Sequence, residues 1–338
     1  MASMPALPPT PLQTCANCGA PLYGKYCYAC GQPGEGLVRH FGSVLGDAMD
    51  SLLNIDTRIA KTLFPLYFRP GRITRDYFDG KRARYVTPFR LVFFLAIIAF
   101  LAIQLALRTD SPQLVQFQTP PMSGTSISKT SVAGTQDTHF ANGNISVNGT
   151  VVWNHQTKPL RNDGLPAFAN GWLNDSIENA RNNLHHMNSG NAAEANSAVL
   201  RLVGGVFAVA PQVLFVLLPV FALLLKIFYV FKRRLYMEHL IVSMHSHAFI
   251  MLSLLVVVAL HLLRTAVAPH VAWLGIMLGW LQAGAWVWLP VYLLIMQKRV
   301  YRQGWPMTAL KFGTIGLCYS VLVSFGLGLA LLISLGSS

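Results

Sequence analysis

The chain has 338 residues, of which 53% are apolar and only 12% charged, and it carries a net charge of +13. A charged share about half that of an ordinary soluble domain excludes a water-soluble globule, because the apolar surplus must be buried in something other than its own interior. The positive charge does not call for nucleic acid, since basic residues gathered at membrane boundaries face anionic lipid.

Residues 5–11 are proline-rich and predict disorder. They are followed by Cys15-x2-Cys18 and Cys27-x2-Cys30, each closed by a glycine, Gly19 and Gly31. Four thiolates at this spacing can surround one zinc ion, with the glycines letting the backbone turn tightly around the sulfurs. Disulfides or redox dithiols are the competing reading, and they are disfavoured on the reducing side of a membrane. The expectation is a structural zinc ribbon over residues 1–36, one zinc per chain, with no open coordination position for chemistry. So few residues cannot build a core, and the metal supplies the folding energy.

Residues 37–90 are expected to be cytoplasmic and to hug the membrane. Val44, Leu45, Ala48, Met49, Leu52 and Leu53 recur at helical spacing, with Asp47, Asp50 and Asp56 off that face. A second apolar patch from Leu63 to Phe68 ends at Pro70-Gly71 and is expected in the interface. Arg72, Arg75, Lys81, Arg82, Arg84 and Arg90 follow, interleaved with Tyr77, Phe78, Tyr85 and Phe89. Such a mixture could stack on single-stranded nucleic acid, but it runs directly into a membrane span, which favours lipid headgroups as its contact.

Five uncharged runs are long enough to cross a bilayer: residues 91–107, 202–225, 240–263, 271–297 and 312–338. In hydrocarbon every backbone polar group must be bonded within its own segment, so the runs predict helices and the fold class is an all-α membrane bundle. Eleven of the 26 lysines and arginines precede the first span, four lie between Lys226 and Arg234, and four between Lys298 and Lys311. Alternating spans put these on one side, so the N-terminus is predicted cytoplasmic and the C-terminus outside, in a bacterial inner membrane.

The loop over 108–201 is expected outside. Its stretch from Ile145 to Val152 predicts a hairpin about Asn148-Gly149, and Leu173, Ile177, Ala180, Leu184 and Met187 predict a helix resting on the bundle or bilayer. His185 and His186 are adjacent there and read as solvated.

The third span holds Glu238, His239, His245 and His247, and ionisable residues at membrane depth raise a functional hypothesis. At about 100 degrees per residue His245 and His247 point to nearly opposite sides, and no pair has the i, i+4 spacing of a one-helix zinc site. His247 and His261 are stacked about 21 Å apart along the helix, but one helix lacks the opposing ligands that haem needs. Gly275, Gly279 and Ala283 recur every four residues and predict close helix packing.

The paired Cys-x2-Cys-Gly turns, Pro70-Gly71 with Asp76-Tyr77, the run Gly80-Lys81-Arg82 to Tyr85-Val86 and Pro88-Phe89-Arg90, then Tyr236-x-Glu238-His239-Leu240 and His245-x-His247, together resemble the bacterial membrane family catalogued as domain of unknown function 3667. The resemblance implies an architecture of ribbon plus helical membrane domain, and no activity. Three functional readings follow. The first is a non-catalytic scaffold or sensor whose ribbon docks a protein partner. The second is a proton-coupled transporter using the histidine cluster, and the third is a membrane metalloenzyme using it. Homo-oligomerisation is left open.

Overall fold

The computed structural model describes residues 14–34, 59–114, 138–139, 144–147, 150–164, 166–187 and 192–337. The proline-rich start, the helix expected over 44–53 and the Asn148-Gly149 turn lie outside these residues. Among the described residues, five helices are long and apolar enough to cross a membrane: Pro88–Leu107, Leu202–Phe228, Tyr236–Val267, Ala272–Tyr301 and Trp305–Ser334. They lie within helices α3 (Pro88–Leu114), α5 (Ala192–Phe228), α6 (Tyr236–Val267), α7 (Ala272–Tyr301) and α8 (Trp305–Ser337), introduced here with α1 (Ile59–Phe68), α2 (Arg72–Phe78) and α4 (Ala167–Met187). The chain is a polytopic, helical membrane protein.

It divides into two compact units. One lies within residues 1–103 and 216–320, the other within 104–215 and 321–338.

In the first unit the ribbon is built from two copies of one turn, offset by twelve residues. The Gly19 amide donates to the Cys15 carbonyl and the Gly31 amide to that of Cys27, each at 2.8 Å, and Thr14 bridges Pro21 as Tyr26 bridges Pro33. Gly19 and Gly31 have φ of 79 and 71, the left-handed conformation that a side chain resists.

The segment from Ile59 to Phe89 then folds into a cap on α6 and α7. Helices α1 and α2 pack on each other, both contact α6, and α2 also contacts α7. Between them Gly71 sits at φ 72, where a Cβ would meet the Met296 carbonyl oxygen at 3.3 Å. Carbonyls at the end of a helix have no partner in their own helix. Here α7 supplies the donors, with Trp288 Nε1 to the Tyr67 carbonyl and Arg299 Nη1 to the Pro70 carbonyl, both at 3.1 Å. Aromatic stacking continues the contact, with Phe249 on Tyr292 at 3.6 Å and Tyr67 beside Phe249 at 5.8 Å. The chain returns over this hairpin through the Tyr85 hydroxyl, donating to Asp76 Oδ2 at 2.6 Å, and the Val86 amide, donating to Thr62 Oγ1 at 3.0 Å. Burial, together with the bond to Asp76, pushes the Tyr85 hydroxyl up to about 12.

At the turn between α6 and α7 two of the three seam residues, Gly275 and Gly279, are closely approached, while Ala283 is exposed. A Cβ on Gly275 would lie 2.6 Å from that of Ala268, and Gly279 lies against the Arg264 guanidinium.

The second unit holds a three-stranded antiparallel sheet, β1 (Thr138–His139), β2 (Asn144–Val147) and β3 (Thr150–Asn154), in that order. A lone hairpin is marginal. This one is anchored: Trp153 is buried and its Nε1 donates to Asn174 Oδ1 of α4 at 2.9 Å. Asn174 also donates to the carbonyls of Leu160 and Asn170, tying strand, loop and helix together. In the same unit the Ser334 hydroxyl of α8 donates to the Leu202 carbonyl at 3.0 Å, and Gly205 leaves the space that Ser334 enters.

Candidate functional sites: a four-cysteine metal centre and the third-span histidines

The four cysteine sulfurs all lie within 4.8 Å of one another, with Cys15 to Cys30 at 3.6 Å and Cys18 to Cys27 at 3.5 Å. All four are free thiols, with sulfurs far beyond bonding distance. A tetrahedral zinc at about 2.3 Å from each sulfur needs sulfurs about 3.8 Å apart, so the donor set fits. Cys15, Cys18, Cys27 and Cys30 form a metal-binding cluster. A bound ion would hold the two turns together through all four sulfurs. Cys15 and Cys27 are buried, while Tyr23, Tyr26 and Tyr28 are 72%, 66% and 70% exposed.

Gln32, whose side chain no sequence motif singles out, joins the ribbon to the cap. Its Nε2 donates to the Gly80 carbonyl at 2.7 Å, and its Oε1 accepts from the amides of Arg82 and Ala83 at 3.1 Å. This satisfies three backbone groups of one loop with a single carboxamide. Arg84 Nη2 adds a bond to the Asn17 carbonyl at 3.2 Å. Gly80, at φ 85, lies close against the ribbon, since a Cβ there would come within 2.7 Å of the Ala16 Cβ.

The basic residues expected at headgroups fall in different surroundings. Arg72 and Arg75 are exposed and line a cleft of about 360 Å³ with Arg69, Arg299, Asp76 and Asp79. Lys81 is half-buried. Arg82 lies over the Tyr77 ring, Arg84 reaches the ribbon, and Arg90 is buried against Phe94.

The ionisable residues of α6 are separated by their partners. Glu238 caps its own helix by accepting from the Leu235 amide at 2.9 Å and pairs with Arg234 at 3.1 Å. Arg234 in turn donates to the Val300 carbonyl and lies over the rings of Phe78 and Tyr301. His239 Nδ1 is 2.8 Å from the Tyr301 hydroxyl, and His245 Nδ1 is 3.0 Å from Thr74 Oγ1 of α2. His247 Nδ1 donates to the Ser243 carbonyl at 2.8 Å, which leaves Nε2 as the acceptor for the Tyr319 hydroxyl of α8. All three histidines are buried. Among the described residues, the group of histidine, cysteine and acidic side chains close enough to hold a metal is the four-cysteine cluster. His185 and His186 lie in α4, and their side chains lie outside what is described.

His247 and Tyr319 also line a cavity of about 190 Å³ between α5, α6, α7 and α8. Tyr301, Tyr319 and Gln297 are polar residues of these helices that carry no charge, so a search for ionisable groups passes over them.

A family model described as protein of unknown function (DUF3667) matches residues 56–100, which cover α1, α2, their return loop and the start of α3. No curated protein and no solved structure matches the chain.

Proposed function

We propose, for a chain that belongs to a family described only as of unknown function, that it is a non-catalytic scaffold or sensor of the bacterial inner membrane whose zinc-ordered ribbon is clamped to the membrane bundle. The observation that carries this reading is Gln32, which bonds three backbone groups of the 80–83 loop. The loop continues into the cap, and the cap reaches α6 through Thr74 and His245. Metal occupancy thereby bears on the packing of a membrane helix. The side of the ribbon presented to a cytoplasmic protein partner carries Tyr23, Tyr26 and Tyr28, exposed aromatic side chains with a polar tip suited to such contacts. Basic ends at 226–234 and 298–311 support a cytoplasmic N-terminus and an outer C-terminus.

The test uses inside-out membrane vesicles with full-length protein. Elemental analysis gives one zinc per chain, lost in the Cys15→Ser, Cys18→Ser double variant. Added trypsin spares Lys81, Arg82 and Arg84 until the metal is chelated. A chain with no zinc, or equal cleavage with and without the chelator, overturns the proposal.

A second reading, proton-coupled transport, is favoured by one observation: His247 and Tyr319 face a cavity inside the bundle. It requires proton uptake by reconstituted vesicles that His247→Gln abolishes. The metalloenzyme reading of Glu238, His239, His245 and His247 has no such support, since each is engaged by a different partner.

A further inference from the structure

The cavity between α5, α6, α7 and α8 has a wall whose polar groups are unmatched in one direction. Tyr319 spends its proton on His247, so its oxygen offers lone pairs only. The Ser246 hydroxyl spends its proton on the Val242 carbonyl at 2.8 Å and likewise is left as an acceptor. Gln297 is 7% exposed, and its Oε1 is fully buried with no hydrogen-bond partner among the described residues. A buried carbonyl oxygen without a donor has lost its water and gained nothing in return, which is why such atoms mark binding sites or bound solvent.

The rest of the wall is apolar, with Phe221, Ile250, Leu293 and Ile315. The lining holds no aspartate, glutamate, lysine or arginine, and the neutral His247 ring, donating at Nδ1 and accepting at Nε2, adds no charge. An anion would meet no cationic side chain, and a cation would meet no carboxylate. The volume of about 190 Å³ exceeds the roughly 150 Å³ that admits benzene into an apolar protein cavity. Gly316 and Ser320, on the rim, are exposed, so the mouth opens on the outer face of the bundle, where a membrane-dissolved molecule would arrive.

We propose that this cavity binds a small neutral molecule with an apolar body and a hydroxyl donor, a phenol or an alcohol, drawn from the bilayer. Gln297 lines the cavity, and a turn of its carboxamide that brings Oε1 to the wall lets the hydroxyl donate to it, while the body fills the space between Phe221 and Ile315. The site is independent of the ribbon and goes beyond the scaffold reading.

The test uses the full chain in lipid nanodiscs and a 4-alkylphenol with a diazirine on its alkyl chain. After illumination, crosslinks are expected in the peptides spanning 242–250, 293–297 and 312–320. Unlabelled 4-propylphenol competes about fivefold to tenfold better than 4-propylanisole, its methyl ether, the worth of one neutral hydrogen bond. Gln297→Leu erases that difference. Gly316→Leu abolishes labelling by filling the space, for an added Cβ there meets nothing within 4 Å. Equal competition by phenol and ether in the wild-type protein overturns the proposal without reference to any variant. So does labelling spread over the helix faces and unchanged in Gly316→Leu, as a cavity holding only water would give.

Discussion

His247 illustrates what a polar side chain requires inside a membrane: both ring nitrogens are engaged, one by the carbonyl of Ser243 and the other by the Tyr319 hydroxyl. Tyr319→Phe leaves Nε2 buried without its donor. The expected loss is about 1 kcal/mol of stability, near the upper end of interhelical hydrogen bonds in membranes, measured as a lower unfolding midpoint in mixed detergent micelles. An unchanged midpoint contradicts the bond. The histidines themselves were legible in the sequence, because ionisable residues in an apolar run stand out. Their partners were not. Tyr319 lies 72 residues further on, and nothing in the spacing of either residue announces the other. The cysteines are the opposite case, since all four donors and both tight turns fall within one short stretch and the constellation can be read directly. Gln32 was missed because it stands beside a motif rather than in it.

At the scale of elements, local periodicity identified the helices, while packing decided where the short ones lie. The seam at Gly275 and Gly279 was readable as a small-residue repeat, and the partner of Gly275, Ala268, sits in the turn that follows α6. Gly275→Leu is expected to force α6 and α7 apart and to destabilise the protein by about 1–3 kcal/mol. Adding Ala268→Gly recovers part of that loss, by the same unfolding measurement, and absence of any recovery argues that the two do not pack. The apolar patch over 63–68 reads as interfacial from sequence, and Phe64 and Phe68 are exposed. Yet the Leu66 side chain is buried, and the carbonyls at the end of α1 are taken by Trp288 and Arg299, more than 200 residues away. Such long-range donors are invisible to a sliding window. The hairpin of the second unit shows the same limit, for its alternation was readable but its anchor, Trp153 on Asn174, was not.

For the whole molecule, length and hydropathy were enough to place five membrane helices, because the bilayer imposes its thickness on the sequence. What they could not show is that ribbon, cap and bundle are joined in series: cysteines to Gln32, Gln32 to the 80–83 loop, that loop to α2, and Thr74 to His245. Hydrogen exchange across the purified chain, followed by mass spectrometry, tests that series most directly, comparing wild type, zinc-chelated protein and Gln32→Ala. The account predicts that chelation speeds exchange in both the ribbon and residues 80–86, that Gln32→Ala speeds it in 80–86 while the ribbon keeps its metal and its protection, and that α7 changes in neither. Unaltered exchange over 80–86 in both samples would contradict it, leaving the ribbon a separate module on the same chain.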